Sequence, residues 1–125
     1  MTAAEALTSL NAEAATYPQA VRIWMGVMAV SFFSGLLVAL LDRRTLWIAL
    51  AAALTFGGLI VVRILAPDMP RHLSGALLHV ILWPPALALL WRGVAKTPLV
   101  RVWSIWVSLL MGISLILDFR VLFQI

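Results

Sequence analysis

Residues 70–92 read PRHLSGALLHVILWPPALALLWR, and this stretch decides what kind of protein the chain encodes. As a helix, its apolar part is about 30 Å long, enough to cross the hydrocarbon core of a bilayer. It nevertheless contains His79 in its first half and two consecutive prolines, Pro84 and Pro85, near its middle. Because each proline removes a backbone N–H, the stretch is predicted to be a transmembrane helix with a kink at Pro84-Pro85.

The composition of the whole chain is that of a membrane protein. Of its 125 residues, 64% are hydrophobic and only 11% are charged, which lies outside the range of soluble domains. The basic residues are scattered singly or in pairs, so no nucleic-acid-binding surface is expected. The chain has no cysteine, which excludes disulfides and thiolate metal sites. No catalytic constellation or metal-binding cluster is evident, so we expect neither enzymatic activity nor a metal.

Hydrophobic segments separated by short polar connections predict an all-α integral membrane protein with a single domain over residues 1–125. Short connections place consecutive helices side by side and antiparallel, which gives an up-down four-helix bundle. Residues 1–17 are expected to form a short surface helix or a polar tail. The four spans are predicted at residues 19–41, 46–66, 71–92 and 98–118.

The same features predict a multi-pass protein of the bacterial inner membrane, embedded in the lipid bilayer. Positively charged residues prefer the cytoplasmic side of a membrane. They number four on the side of the two termini and five on the opposite side, so both termini are predicted to lie outside the cytoplasm. The first group is Arg22, Arg63, Arg71 and Arg120, and the second is Arg43, Arg44, Arg92, Lys96 and Arg101.

Small residues at every fourth position of three spans indicate close helix packing, because small side chains let membrane helices approach one another. These stripes predict either a compact bundle or contacts with a second copy or another subunit. They comprise Ser31, Gly35 and Ala39 in span one, Ala49, Ala53 and Gly57 in span two, and Ser104, Ser108 and Gly112 in span four.

Span three has a different face and contains the candidate functional cluster, which consists of His72, His79, Trp83, Pro84 and Pro85. His79 lies on the same face as His72, roughly 10 Å deeper along the helix. An ionisable group at that depth is a functional candidate. The alternative is a neutral imidazole that only hydrogen-bonds across the bundle.

Two further features belong to this prediction. The carbonyls of Val80 and Ile81 lose their helical hydrogen-bond donors because the prolines have no N–H. Near an imidazole and an indole these carbonyls would form a polar site; the alternative is an ordinary packed kink.

Asp118 is predicted to form an ion pair with Arg22 or Arg63, because all three lie near the same interface.

Three functions remain open from the sequence. The first is an accessory or assembly subunit of a membrane complex, acting through helix–helix contacts with other subunits or with itself as a homo-oligomer. The second is an oligomeric transporter or channel for a small molecule or an ion. The third is a subunit that binds a haem or a chlorophyll-type pigment through His79; otherwise no cofactor is expected.

Overall fold

A computed structural model describes residues 1–92 and 97–123, and within these ranges the chain is helical and contains no strand. Lys96, which contributed to the predicted orientation, lies outside the described residues. The helices are α1 (Ala3–Ala14), α2 (Gln19–Phe33), α3 (Gly35–Val38), α4 (Leu46–Leu65), α5 (Arg71–Leu90) and α6 (Pro98–Phe123), with a 3-10 turn at Arg43–Thr45 before α4.

Four segments are long and apolar enough to cross a membrane, which confirms the predicted fold class and supports a multi-pass membrane protein. They are Gln19–Val38, Arg43–Leu65, Arg71–Leu90 and Pro98–Arg120. We call the side of the bundle with the N-terminus and residues 66–70 the terminal side. The side with residues 39–45 and the end of α5 is the loop side.

The four spans form a ring in which each packs against two neighbours. Helix α5 lies between α4 and α6, and the first span, α2 with α3, contacts the other faces of α4 and α6. Side chains from all four spans meet in one core, at whose centre Phe32 and Trp83 touch edge to face with ring centroids 5.3 Å apart.

The N-terminal segment is a helix that packs on the terminal ends of α4 and α5. Its start is capped by the Thr2 hydroxyl, which accepts a hydrogen bond from the backbone N–H of Glu5, as expected at a helix N-terminus. Ala6 and Leu10 are buried. Residues 3–14 therefore form part of the bundle's packing and cover the terminal ends of α4 and α5.

The first span is less regular than predicted, because Ser34 separates α2 from α3. The Ser34 hydroxyl donates to the Ser31 carbonyl and accepts the indole N–H of Trp103 at 2.8 Å. A serine that bonds back to its own helix competes with regular helical bonding. Directly after it, Gly35 packs so closely on the 3-10 turn that a Cβ there would lie 2.8 Å from the Thr45 carbonyl oxygen.

The prolines of α5 do not unwind it, since the helix continues from Arg71 to Leu90 through Pro84 and Pro85. Because Pro84 and Pro85 have no N–H, the carbonyls of Val80 and Ile81 lack their helical hydrogen bonds. This loss supports the predicted kink at that point of the helix. Both prolines are exposed on the outer surface of the bundle.

The predicted small-residue stripes fit the first span better than α4. Gly35 is buried, whereas Ala53 and Gly57 are exposed, and a Cβ at Gly57 would meet nothing within 4 Å. A strict four-residue repeat drifts by about 40° around the helix at each step, so only Ala49 stays on the inner face. The close approach on α4 occurs instead at Gly58, against Leu78. In α6, Ser104 is buried, and Ser108 and Gly112 are half-buried; Ser31 and Ala39 are also half-buried.

Indole N–H groups connect the helices through hydroxyl acceptors, a feature that the sequence did not reveal. Such bonds satisfy polar groups where water is absent. The pairs are Trp24 with Ser114 at 3.2 Å, Trp83 with Thr55 at 3.2 Å, Trp91 with Ser108 at 2.8 Å, Trp103 with Ser34 at 2.8 Å and Trp106 with Ser31 at 2.9 Å. Two serines of the predicted stripes, Ser31 and Ser108, are therefore hydrogen-bond acceptors as well as small packing residues.

Candidate functional site

A cavity of about 490 Å³ opens among the helices in the terminal half of the bundle. Along α5 it extends from Arg71 past Gly75 and His79 to Trp83. The other walls come from α1, α2, α4 and α6, whose apolar residues surround the few polar groups inside. Because every long helix contributes to its wall, the cavity exists only in the assembled bundle.

The central polar feature of this cavity is a pair formed by His79 on α5 and Asp118 on α6. The distance between His79 Nδ1 and Asp118 Oδ2 is 2.8 Å, and the two side chains are 18% and 17% exposed. The ion pairs predicted for Asp118 with Arg22 or Arg63 are therefore wrong. Arg63 is instead bound by Glu13 of α1, and Asp118 turns into the cavity towards the imidazole.

His79 is also held by an aromatic contact. Its ring is stacked on the indole of Trp83, with centroids 3.7 Å apart and an angle of 22° between the planes. The Trp83 N–H donates to Thr55, whose hydroxyl donates in turn to the Ala51 carbonyl at 2.8 Å. A continuous chain of contacts thus runs from α6 through α5 to α4 and fixes the orientation of the imidazole.

This geometry assigns different roles to the two imidazole nitrogens. In a neutral ring, the proton at Nδ1 is donated to Asp118 and the lone pair remains at Nε2. No hydrogen bond from residues 1–92 or 97–123 reaches Nε2. In metal sites, a carboxylate at one imidazole nitrogen orients the ring so that the other nitrogen can bind, and the contact with Asp118 orients His79 in a similar way.

The surroundings of His79 are relevant to the predicted haem or pigment site. A Cβ at Gly75, one turn before His79, would meet nothing within 4 Å, so the helix surface next to the imidazole is open at this position. No group of three metal-binding side chains occurs in the described ranges. His72 is exposed at the mouth of the cavity, and two helical turns separate it from His79. Cofactor binding at His79 stays a prediction.

The structure brings together only part of the cluster predicted in span three. His79 and Trp83 touch inside the cavity, and His72 lies at its mouth. Pro84 and Pro85 face outward and are not among the residues that line the cavity. Val80 and Ile81, whose carbonyls the prolines free, are not among these lining residues either, and the polar partner of His79 in the cavity is Asp118.

The mouth of the cavity is organised by Glu13 of α1, which the sequence did not single out. Its carboxylate pairs with Arg63 at 3.0 Å, accepts the backbone N–H of Arg71 and accepts the Tyr17 hydroxyl at 3.3 Å. Partial burial raises the pKa of Glu13, but the hydrogen bonds and the charge of Arg63 outweigh this effect and hold it below its ordinary value. Burial and the Glu13 charge raise the pKa of Tyr17.

Two arginines at this mouth retain unused donors. The Nε of Arg71 is buried and has no partner in the part of the chain that the structure describes. Its guanidinium lies 5.9 Å from the centroid of the Tyr17 ring. The exposed Arg22 side chain lines the same cavity and makes no hydrogen bond or ion pair with the described residues. The entrance is therefore positively charged.

Comparison with protein-family models, with curated proteins and with solved structures gives no match.

Proposed function

We propose that this protein is a small-molecule carrier of the membrane, whose cavity binds a hydrophobic molecule with an acidic group. The observation that supports this proposal is the apolar cavity that contains the His79–Asp118 pair and opens between Arg22 and Arg71. Ligand sites are typically apolar cavities with a few convergent polar groups. The proposal involves no catalytic step and no cofactor.

The shape of the cavity favours an elongated ligand. From Arg71 to Trp83 the wall on α5 is about 18 Å long, at 1.5 Å per residue. Polar and charged groups are concentrated at the entrance, and the inner end is formed by Phe32, Ala52 and Trp83. An amphipathic molecule would therefore place its apolar end among these side chains and its acidic group at the entrance.

Charge determines which head group fits. The donors of Arg22 and Arg71 that lack partners suit a carboxylate or a phosphate, because charge-assisted hydrogen bonds to arginine are strong. Glu13 does not neutralise these groups fully, since its oxygens are shared among Arg63, Tyr17 and the backbone of Arg71. Midway along the cavity, His79 offers Nε2 to a second polar group of the ligand.

The test uses photolabelling in discs of neutral phosphatidylcholine. A dodecanoate that bears a diazirine is crosslinked to the protein, and the labelled peptides are identified by mass spectrometry. We expect labels on the cavity walls of α2 and α5, competition by unlabelled dodecanoate, and much weaker labelling by the corresponding alcohol. Arg22→Gln and Arg71→Gln should each reduce labelling about tenfold, the effect of losing one charge-assisted interaction of about 1.5 kcal/mol.

Arg120→Gln is the matched control, because Arg120 is an exposed arginine near the terminal side that does not line the cavity. It should label like the unchanged protein. Equal labelling by acid and alcohol, or labels confined to lipid-facing residues, would contradict the proposed ligand class.

An accessory or assembly subunit is the second candidate, and one observation favours it. Ala53 and Gly57 form an outward-facing small surface on α4, of the kind that lets another membrane helix approach. Co-purification in mild detergent tests it: a stable partner lost on Gly57→Leu but retained on the distant Gly112→Leu would support this role. The bacterial inner membrane and the external termini remain predictions under either proposal.

A further inference from the structure

A second depression lies on the opposite half of the molecule, between α3 and the loop-side end of α4. It has a volume of about 650 Å³ and is open to the surroundings of the bundle. Its walls are apolar except at the mouth, which is lined by Arg43 and Arg44. The apolar lining includes Phe33, Leu36, Leu46, Trp47, Leu50 and Ala53.

The irregularity of the first span produces this groove. Gly35 is held against the Thr45 carbonyl, and the Thr45 hydroxyl donates to the Gly35 carbonyl at 2.8 Å. These contacts keep α3 and α4 together at the turn. Further in, Phe33 is stacked on Phe56 with ring centroids 5.9 Å apart. The groove starts at the loop side. Along α4 it is about 10 Å long from Leu46 to Ala53, at 1.5 Å per residue.

The charges at the mouth are not equivalent. Arg44 forms an ion pair with Asp42, and its hydrogen bonds hold the pKa of that carboxyl below its ordinary value. Arg43 is exposed, and its side chain makes no hydrogen bond or ion pair within residues 1–92 and 97–123. One uncompensated positive charge thus stands where the apolar groove begins.

The surrounding surface has the same sign. On the loop side the described residues include four arginines and one carboxylate, whereas the terminal side carries four of each. The loop-side residues are Arg43, Arg44, Arg92, Arg101 and Asp42; the terminal-side residues are Arg22, Arg63, Arg71, Arg120, Glu5, Glu13, Asp68 and Asp118. A positive membrane-facing rim attracts anionic lipid head groups.

We propose that this groove binds one anionic phospholipid, with the phosphate at Arg43 and an acyl chain along α4. Trp47 is 41% exposed beside the mouth, where an indole prefers the level of the head groups. A second copy of the chain would bring to the groove only Asp42 as a described loop-side carboxylate, and Arg44 already binds it. A phospholipid with a net negative charge supplies the missing counter-ion for Arg43. This site is separate from the terminal-side cavity and does not depend on the function proposed for it.

The experiment uses delipidated protein, native mass spectrometry and two defined lipids, phosphatidylglycerol and phosphatidylcholine. We expect one phosphatidylglycerol to be retained per chain and phosphatidylcholine to be lost under the same conditions. Arg43→Gln should weaken retention about fivefold, the effect of roughly 1 kcal/mol per basic residue near an anionic surface. Ala53→Phe, which fills the inner end of the groove, should also weaken it.

Two variants are the controls. Arg120→Gln removes an exposed arginine on the terminal side, and Ala88→Phe adds the same bulk to an exposed position of α5; both should retain the lipid. Equal retention of the two lipids, or no effect of Arg43→Gln, would overturn the proposal. A homodimer that Ala53→Phe disrupts and Arg43→Gln leaves intact would also overturn it, since the groove would then bind a second copy.

Discussion

The interaction between His79 and Asp118 is the feature of the cavity most open to a quantitative test. The perturbation is a double-mutant cycle with His79→Phe, Asp118→Leu and the combined variant. Phenylalanine retains an aromatic ring against Trp83, and leucine has a shape similar to that of aspartate. The cycle therefore isolates the 2.8 Å contact between the two side chains from the stacking that surrounds it.

The expected magnitude follows from the geometry. A hydrogen bond to a charged group contributes about 1.5–3 kcal/mol, and the remaining 17–18% exposure of the pair places this one in the lower half of that range. Each single variant leaves the other polar group without its partner, so each should lower the free energy of unfolding by about 2 kcal/mol. The double variant should cost little more than either single one.

The assay is reversible unfolding in mixed micelles, followed by circular dichroism. A second cycle with Trp83→Phe and Thr55→Val provides the comparison, because it removes a neutral hydrogen bond of 3.2 Å for which about 0.5–1.5 kcal/mol is expected. The nitrogen-15 chemical shifts of the two histidine rings, measured by NMR, are an independent readout. The exposed His72 is the reference with which the ring of His79 is compared. A coupling energy below about 0.5 kcal/mol, with identical spectra for both histidines, would refute the pairing.

Two further predictions concern packing and pH. Gly35→Ala should lower the free energy of unfolding by about 1–3 kcal/mol, the usual cost of overpacking, because the added Cβ would meet the Thr45 carbonyl oxygen. Gly57→Ala is the control in the same unfolding assay. It should be neutral or slightly stabilising, because its Cβ would meet nothing within 4 Å. The lowered pKa of Glu13 means that its contribution to α1 docking is complete above the ordinary value of 4.5 and is lost as the pH falls below it. Hydrogen-exchange protection of α1, corrected for intrinsic rates, should drop over that range; Glu13→Gln should remove the pH dependence, and a drop that persists in this variant would contradict the assignment.

Several parts of the site could be predicted from residues alone. His79 stands out because an imidazole within an apolar span is unusual, and its depth follows directly from the helical rise. Its partner was accessible in principle, since His79 lies eight residues into α5 and Asp118 five residues before the end of the antiparallel α6. The expectation of an arginine partner for Asp118 failed because charge and depth do not define which face of a helix a side chain occupies.

Other parts required the folded structure. Glu13 and Arg63 are 50 residues apart in sequence, and nothing in the alanine-rich segment around Glu13 indicates that α1 folds back over α4 and α5. The small-residue repeat on α4 predicted an inner face that Ala53 and Gly57 do not occupy. The Trp–hydroxyl bonds were likewise invisible, because each joins residues that are at least 17 positions apart in the sequence.

The sequence by itself determined the four spans, since crossing a bilayer depends on the length and hydrophobicity of each segment separately. Only the tertiary structure decided how each helix is rotated, and hence that His79 faces Asp118 and that Arg43 borders an apolar groove. The physical reason lies in the lipid. In water, the inner face of a helix is marked by its hydrophobicity, whereas in a membrane the inner and outer faces are both apolar, so the rotation is set by side-chain packing and a few hydrogen bonds between helices.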